Sequence, residues 1–185
     1  MSDFSRPYPL FSVCGLNCGL CPMHIGKYCP GCGGGPGNQP CKIARCSQQH
    51  GNIDYCFLCD EYPCGSYDGI GEYDSFITHR HQLKDLEKAK EIGIEAYRAE
   101  LAEKMDILNA LLESYSDGRK KSFFCLAVNL LALRDVKDAL RQIEDATERG
   151  NLSQKEKAAL AENTFRDMAA QRGVVLKLNK KPKSD

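Results

Sequence analysis

The fold is decided near the N-terminus by the stretch Cys14-Gly-Leu-Asn-Cys18-Gly-Leu-Cys21. The pair Cys29-Pro-Gly-Cys32 follows after seven residues. Cysteines separated by two residues are typical of metal sites, because a tight turn lets two thiolates converge on one ion. The glycines and prolines between them disfavour long helices and strands. The stretch therefore predicts an irregular module that lacks a large apolar core and needs another source of stability.

Cysteine is also the residue that sets the whole composition apart. The chain has 185 residues and 11 cysteines, and ten of the cysteines lie within the first 64 residues. The eleventh, Cys125, lies in an apolar helical segment and is predicted to be a buried, unreactive thiol. The predicted metal ligands are Cys14, Cys18, Cys21, Cys29, Cys32, Cys41, Cys46, Cys56, Cys59 and Cys64.

Three kinds of chemistry can explain ten clustered cysteines. Disulfides need an oxidising compartment, and the first 11 residues do not resemble an export signal, so we expect a cytoplasmic protein with free thiols. Structural zinc, at about two ions per chain, is favoured because metal binding supplies the folding free energy of a glycine-rich module. An iron–sulfur or thiol redox protein is the alternative. The spacing of Cys14, Cys18 and Cys21 is similar to that of radical S-adenosylmethionine enzymes, but their large α/β barrel is not predicted here.

The ten thiols can be divided between two zinc ions by their proximity in the sequence. The first ion would take the two nearest pairs, Cys18, Cys21, Cys29 and Cys32. The second would take Cys56 and Cys59, completed by Cys46 and Cys64, with Cys41 as the next choice. Cys14 is expected to lie outside both coordination shells. Two histidines among the cysteines, His24 and His50, are expected to be loop residues rather than ligands.

The character of the sequence changes after residue 70, where good helix formers replace glycine and cysteine. We therefore expect residues 1–70 to form a cysteine-rich module and residues 71–185 a bundle of about five helices, giving a mainly α fold. The apolar residues from Ile94 to Tyr115 follow the spacing of one helix face. The helices are predicted at about 74–92, 94–115, 122–133, from an N-cap at Asp135 to Gly150, and from a capping box at Ser153 to Gly173.

Charge and hydropathy narrow the range of partners. The 25 basic and 25 acidic side chains balance, so the composition does not favour a nucleic acid as partner. The sequence lacks an apolar run of the length that spans a membrane, so no membrane partner is expected. A catalytic constellation is not legible, which leaves enzymatic activity open. An unidentified protein partner fits a module with structural metal sites.

The combined cysteine pattern resembles a family of uncharacterised prokaryotic proteins, the domain of unknown function numbered 3795. The resemblance extends over about residues 10–100. It rests on the motifs quoted above, on Cys41-Lys-Ile-Ala-Arg-Cys46, on Cys56-Phe-Leu-Cys59-Asp-Glu-Tyr-Pro-Cys64 and on the segment 90–97. It implies a metal-binding module, with zinc as the metal, in bacteria or archaea. It implies no reaction.

Overall fold

The computed structural model describes residues 4–37 and 41–182. Across these residues the structure is mainly α, as predicted, and contains no β-strand. Three short 3₁₀ turns lie among the cysteines, at Cys18–Leu20, Cys56–Leu58 and Gly65–Tyr67. The α-helices are α1 (Pro22–Ile25), α2 (Lys42–Gln49), α3 (Gln82–Ile92), α4 (Ile94–Ser114), α5 (Lys121–Leu130), α6 (Leu133–Glu148) and α7 (Gln154–Gln171).

The chain divides into two compact units. The first runs to Ala99 and also includes the segment that begins at Leu178. The second is Glu100–Lys177, so the division falls within α4. The sequence places the division near residue 70, whereas α3 belongs to the same unit as the cysteines.

The first unit has an apolar core, contrary to the expectation that the cysteine-rich segment lacks one. Phe11 and Leu20 from that segment are completely buried, as is Leu86 of α3. The ring of Phe11 lies 4.5 Å from the ring of Tyr97 in α4 and 5.4 Å from that of Tyr55. Apolar burial on this scale stabilises a fold by a few kcal/mol per large side chain, about 1.5–3 for each. The expectation failed because the apolar partners come from helices that follow the cysteines.

The Cys14–Cys18 motif is fixed against α3 and α4 by its glycine and its asparagine. Gly15 has a φ of +94°, and a Cβ atom at this position would lie 2.3 Å from the carbonyl oxygen of Gln82. Asn17, which is 3% exposed, donates from Nδ2 to Asp85 Oδ2 at 2.9 Å. Its Oδ1 accepts a hydrogen bond from the Tyr97 hydroxyl, also at 2.9 Å. These contacts explain the glycine and the asparagine of the motif by packing and hydrogen bonding alone. An iron–sulfur cluster is not needed to explain them.

Helix α3 begins at Gln82, and the predicted start near residue 74 is wrong. The carboxylate of Asp74 instead accepts hydrogen bonds from the Thr78 hydroxyl and from the backbone N–H of His79, which stabilise a non-helical turn. It also accepts one from the N–H of Asn179 at 2.8 Å, and the Asp74 N–H donates to the Asn179 carbonyl at 2.7 Å. The backbone at Asn179 is thereby held on the first unit.

The second unit is built around α5, and the predicted burial of Cys125 is confirmed, with 2% of the residue exposed. Phe124 of α5 packs edge-on against Phe165 of α7, at a centroid distance of 6.0 Å. Glu162 of α7 is ion-paired with Lys120 and with Arg166.

Two predicted helix starts in this unit can be compared with the structure. The capping box at Ser153 is present, with reciprocal hydrogen bonds between Ser153 and Glu156. Asp135 is not the N-cap of α6, because the helix begins two residues earlier and Ala132 occupies that position. The Asp135 carboxylate accepts a hydrogen bond from Arg172 at 2.7 Å instead. In the part of the chain that the structure describes, no helix has both the length and the apolar character needed to cross a membrane.

Candidate metal sites in the first unit

All eleven cysteines carry free thiols. The ten N-terminal thiols can be grouped by which of their charges act on one another, and Cys21 links two of these groups because its charge acts on Cys18 while that of Cys29 acts on Cys21. Set A is Cys14, Cys18, Cys32 and Cys41. Set B is Cys46, Cys56, Cys59 and Cys64. The loop pair is Cys21 and Cys29.

Set B is assembled from α2 and two 3₁₀ turns. Cys46 lies on α2, and Cys56 opens a turn that Cys59 closes by donating its N–H to the Cys56 carbonyl at 3.0 Å. Cys64 is the N-cap of the next turn. The Cys56 N–H donates to the carbonyl of Val13 at 2.9 Å, which ties the turn to the core. Local hydrogen bonding thus fixes the turn that carries Cys56 and Cys59.

The thiols of set B are held in a partly desolvated environment. Burial raises the pKa of Cys56 to about 11, a hydrogen bond from the Tyr67 hydroxyl opposes the shift, and negative charge on the other three thiols adds to it. Burial followed by the charges of Cys64 and Cys59 also raises the pKa of Cys46. These are the thiols that the sequence analysis assigns to the second zinc ion, and that assignment stays a prediction. His50 is exposed, as expected, although its Nδ1 lies 3.7 Å from Cys59 Sγ.

Set A is formed by the start of the Cys14–Cys18 motif and by two later loops. Cys14 is 7% exposed, and its Sγ lies 3.1 Å from the hydroxyl oxygen of Ser12. Burial raises its pKa to about 12, and the charges of Cys32 and Cys41 act in the same direction. Burial also raises the pKa of Cys18 well above its ordinary value, and the charges of Cys32, Cys14 and Cys21 act in the same direction.

Backbone amides offset part of the effect of burial on the set A thiols. The amides of Leu16, Cys32 and Val13 lower the pKa of Cys14, Cys18 and Cys32 respectively. An amide dipole near sulfur favours the thiolate over the thiol and so opposes the effect of burial. It favours a metal-bound thiolate in the same way.

The interactions agree only in part with the division by sequence proximity: the charges of Cys32 and Cys21 both act on Cys18, and that of Cys29 acts on Cys21. That division pairs Cys18 and Cys32 with Cys21 and Cys29 and leaves Cys14 outside. In the structure the charges that act on Cys14 include those of Cys32 and Cys41, which lie 18 and 27 residues further along the chain. Contacts of this range depend on the tertiary fold, and the sequence offers no local signal for them.

The loop pair lies on either side of the short helix α1. Burial and the charge of Cys29 raise the pKa of Cys21, and the backbone amides of Met23 and His24 lower it. The Cys29 N–H donates to the Met23 carbonyl at 3.2 Å, and its carbonyl oxygen lies 3.1 Å from His24 Nδ1. The backbone of Cys29 therefore lies close to Met23 and His24.

The thiols of each set are spaced more widely than the ligands of one ion. Among the described residues, no three His, Cys, Asp or Glu side chains are arranged so that they could hold a metal together. Zinc–sulfur bonds are about 2.3 Å long, so a closed shell requires the four sulfurs to converge. Metal binding at either set would therefore be coupled to a local rearrangement of the turns that carry the thiols.

The comparisons with known proteins add no relative: no family model, no curated protein and no solved structure matches the chain. The resemblance to the uncharacterised prokaryotic family accordingly stays a prediction.

Proposed function

We propose that the chain is a zinc-binding protein with two structural sites, one at set A and one at set B. The observation that carries the proposal is the mutual electrostatic influence of Cys14, Cys18, Cys32 and Cys41, and likewise of Cys46, Cys56, Cys59 and Cys64. Four thiolates are the ligand number of a closed tetrahedral zinc site. The backbone amides that lower the pKa of Cys14, Cys18 and Cys32 support the same assignment, because they favour the ionised form that a metal requires.

The sites are proposed to be structural because a shell of four thiolates leaves no position for a substrate. Catalytic zinc sites usually keep one coordination position open for water. A protein with two closed shells is better suited to present a stable surface to another protein, so we propose an interaction or regulatory role with a protein partner. Eleven free thiols also fit a reducing compartment such as a prokaryotic cytoplasm.

Metal analysis of the purified chain tests this proposal directly. A colourless protein with about two zinc ions per chain is expected, since each tetrahedral site takes four ligands. A brown protein that contains acid-labile sulfide would favour the iron–sulfur alternative. A colourless protein that binds no zinc would refute both metal assignments.

Single substitutions then assign each ion to its set. Cys18→Ser should remove the ion of set A and leave that of set B, and Cys59→Ser should do the reverse. Cys125→Ser is the matched control, because this thiol is buried in the second unit and should leave the zinc content unchanged. Loss of a metal on changing Cys29 but not Cys14 would contradict the composition of set A and favour the division by sequence proximity.

A further inference from the structure

Ser75 and His79, which follow the cysteine motifs, form a hydrogen-bonded pair in the first unit. The hydroxyl oxygen of Ser75 lies 3.0 Å from Nε2 of His79, and the other ring nitrogen, Nδ1, lies 3.2 Å from the carbonyl oxygen of Ile70. A carbonyl oxygen can only accept a hydrogen bond, so Nδ1 carries the proton of the neutral ring. Nε2 is then the basic nitrogen, and the Ser75 hydroxyl donates to it.

The turn that carries this pair is anchored by hydrogen bonds and by burial. The Asp74 carboxylate accepts hydrogen bonds from the His79 N–H at 2.7 Å and from the Thr78 hydroxyl at 3.1 Å. Ile77 and Thr78, which separate the two members of the pair, are 7% and 4% exposed. The distance between Ser75 and His79 is therefore set by the fold of the turn itself.

The pair is accessible to solvent and borders a cavity. Ser75 is exposed, and the next residue, Phe76, is 65% exposed. His79 lines an open cavity of about 340 Å³ together with Leu83 and the loop 69–72. A cavity of this volume accommodates a small organic molecule, and the apolar side chains of Phe76 and Leu83 favour one with an apolar group.

We propose that Ser75 and His79 are the nucleophile and the general base of a site that hydrolyses small neutral esters. A nucleophile within hydrogen-bond distance of a base, with the base oriented by a third group, is the arrangement that activates serine. The Ile70 carbonyl is the third group here. Glu72 and Arg80 give the cavity one charge of each sign, which favours a neutral substrate. The inference goes beyond the proposed zinc function and does not depend on it.

The reaction takes place in two steps, and each moves a proton through His79 Nε2. In the first, Ser75 Oγ adds to the ester carbonyl carbon while its proton passes to Nε2. The bond from that carbon to the alcohol oxygen breaks, and the alcohol leaves with the proton from Nε2. In the second, water adds to the acyl carbon and gives a proton to Nε2, which returns it to Ser75 Oγ as the carboxylic acid leaves.

The backbone beside Ser75 restricts the reaction to activated esters. The Ile77 N–H lies 3.5 Å from Ser75 Oγ and is a donor for the negative charge that develops on the substrate oxygen. The Ile77 carbonyl, at 3.4 Å, is a second and more distant acceptor for the Ser75 hydroxyl. One long donor contact stabilises the charge weakly, so we expect aryl esters, which have a good leaving group, to react and amides not to react.

Covalent labelling of the full-length wild-type chain tests the assignment of the nucleophile. A fluorophosphonate reacts with activated serine hydroxyls, and mass spectrometry after proteolysis should find one adduct per chain, at Ser75. His79→Gln removes the base and should slow the labelling by about 100-fold or more, since general-base catalysis contributes about 10²–10⁴-fold. His81→Gln is the matched control: it changes the histidine at the N-cap of α3, and its labelling rate should be that of the wild type.

Hydrolysis of 4-nitrophenyl butyrate tests turnover. The thiols of the chain also consume this ester, so only the product released beyond one equivalent per thiol is counted. Ser75→Ala should abolish this turnover. Ser122→Ala removes an exposed serine hydroxyl from the second unit and should leave it unchanged.

Three results would overturn the proposal. They are the absence of a Ser75 adduct in the wild type, labelling of His79→Gln at the wild-type rate, and equal turnover by Ser75→Ala and the wild type. The first needs no variant, so the test remains decisive even where a substitution impairs folding.

Discussion

Replacement of Asn17 by alanine should destabilise the first unit, because Asn17 joins the cysteine motif to both helices that support it. The side chain is 3% exposed and makes hydrogen bonds of 2.9 Å to Asp85 of α3 and to Tyr97 of α4. The substitution removes both bonds and leaves the Asp85 carboxylate and the buried Tyr97 hydroxyl without this partner.

The size of the effect follows from these two bonds. Removing one member of a buried hydrogen bond costs about 1–3 kcal/mol, and more where the remaining partner is charged. Two such bonds predict a loss of about 2–6 kcal/mol for Asn17→Ala. Tyr97→Phe removes the donor of one neutral bond and should cost less, about 0.5–1.5 kcal/mol.

Urea denaturation at a fixed zinc concentration measures these losses, with tyrosine fluorescence as the probe because the chain lacks tryptophan. The double variant should lose less than the sum of the two single losses, since both substitutions remove the same Asn17–Tyr97 bond. A loss below about 0.5 kcal/mol for Asn17→Ala would match an ordinary surface substitution and refute the reasoning.

Three further predictions concern other parts of the chain. In zinc-loaded protein the loop pair should react with iodoacetamide before the thiols of sets A and B, and Cys125 should not react; mass spectrometry that finds the loop pair protected would contradict this. The basic partners of Glu162 lower its pKa, so its stabilising effect is present above its unfolded pKa of about 4.3 and is lost as the pH falls through the lower folded value. Glu162→Gln should therefore flatten the fall in stability on acidification, and an unchanged pH profile would count against this role. Gly15→Ala should lower the urea midpoint more than Gly93→Ala, because both glycines have a positive φ but only Gly15 has the Gln82 carbonyl within 4 Å of a new Cβ; equal shifts would mean that the close approach costs nothing.

Local signals in the sequence predict a helix well where residues close to one another in the sequence determine its bounds. The spacing of apolar residues identifies α4 to within a residue of its end at Ser114, and the capping box identifies the start of α7 at Gln154. Asp74 and Asp135 resemble N-caps equally well, but their carboxylates bind Asn179 and Arg172, partners far along the chain. An N-cap propensity reflects the hydrogen bonds that a side chain can make with nearby backbone. It contains no information about partners far along the chain.

The candidate sites show the same limit. The cysteines and their pairs are legible from spacing, whereas the association of Cys14 with Cys32 and Cys41 depends on how the loops pack. The burial of Arg6 is missed altogether, because a single arginine near the N-terminus looks solvent-exposed. Its burial follows from the contacts of the backbone with the turn at Gly33, which no nearby residue predicts.

The hydrogen bonds between Asp74 and Asn179 can form only late in synthesis of the protein, after Asn179 has been translated. During synthesis the cysteines leave the ribosome first, yet the first unit receives its last segment only after Leu178 has been translated. The whole of Glu100–Lys177 is made in between and is in effect an insertion into the first unit. The nascent cysteine-rich segment thus waits for the synthesis of about 80 further residues, several seconds at about 5–20 residues per second, before its unit is complete.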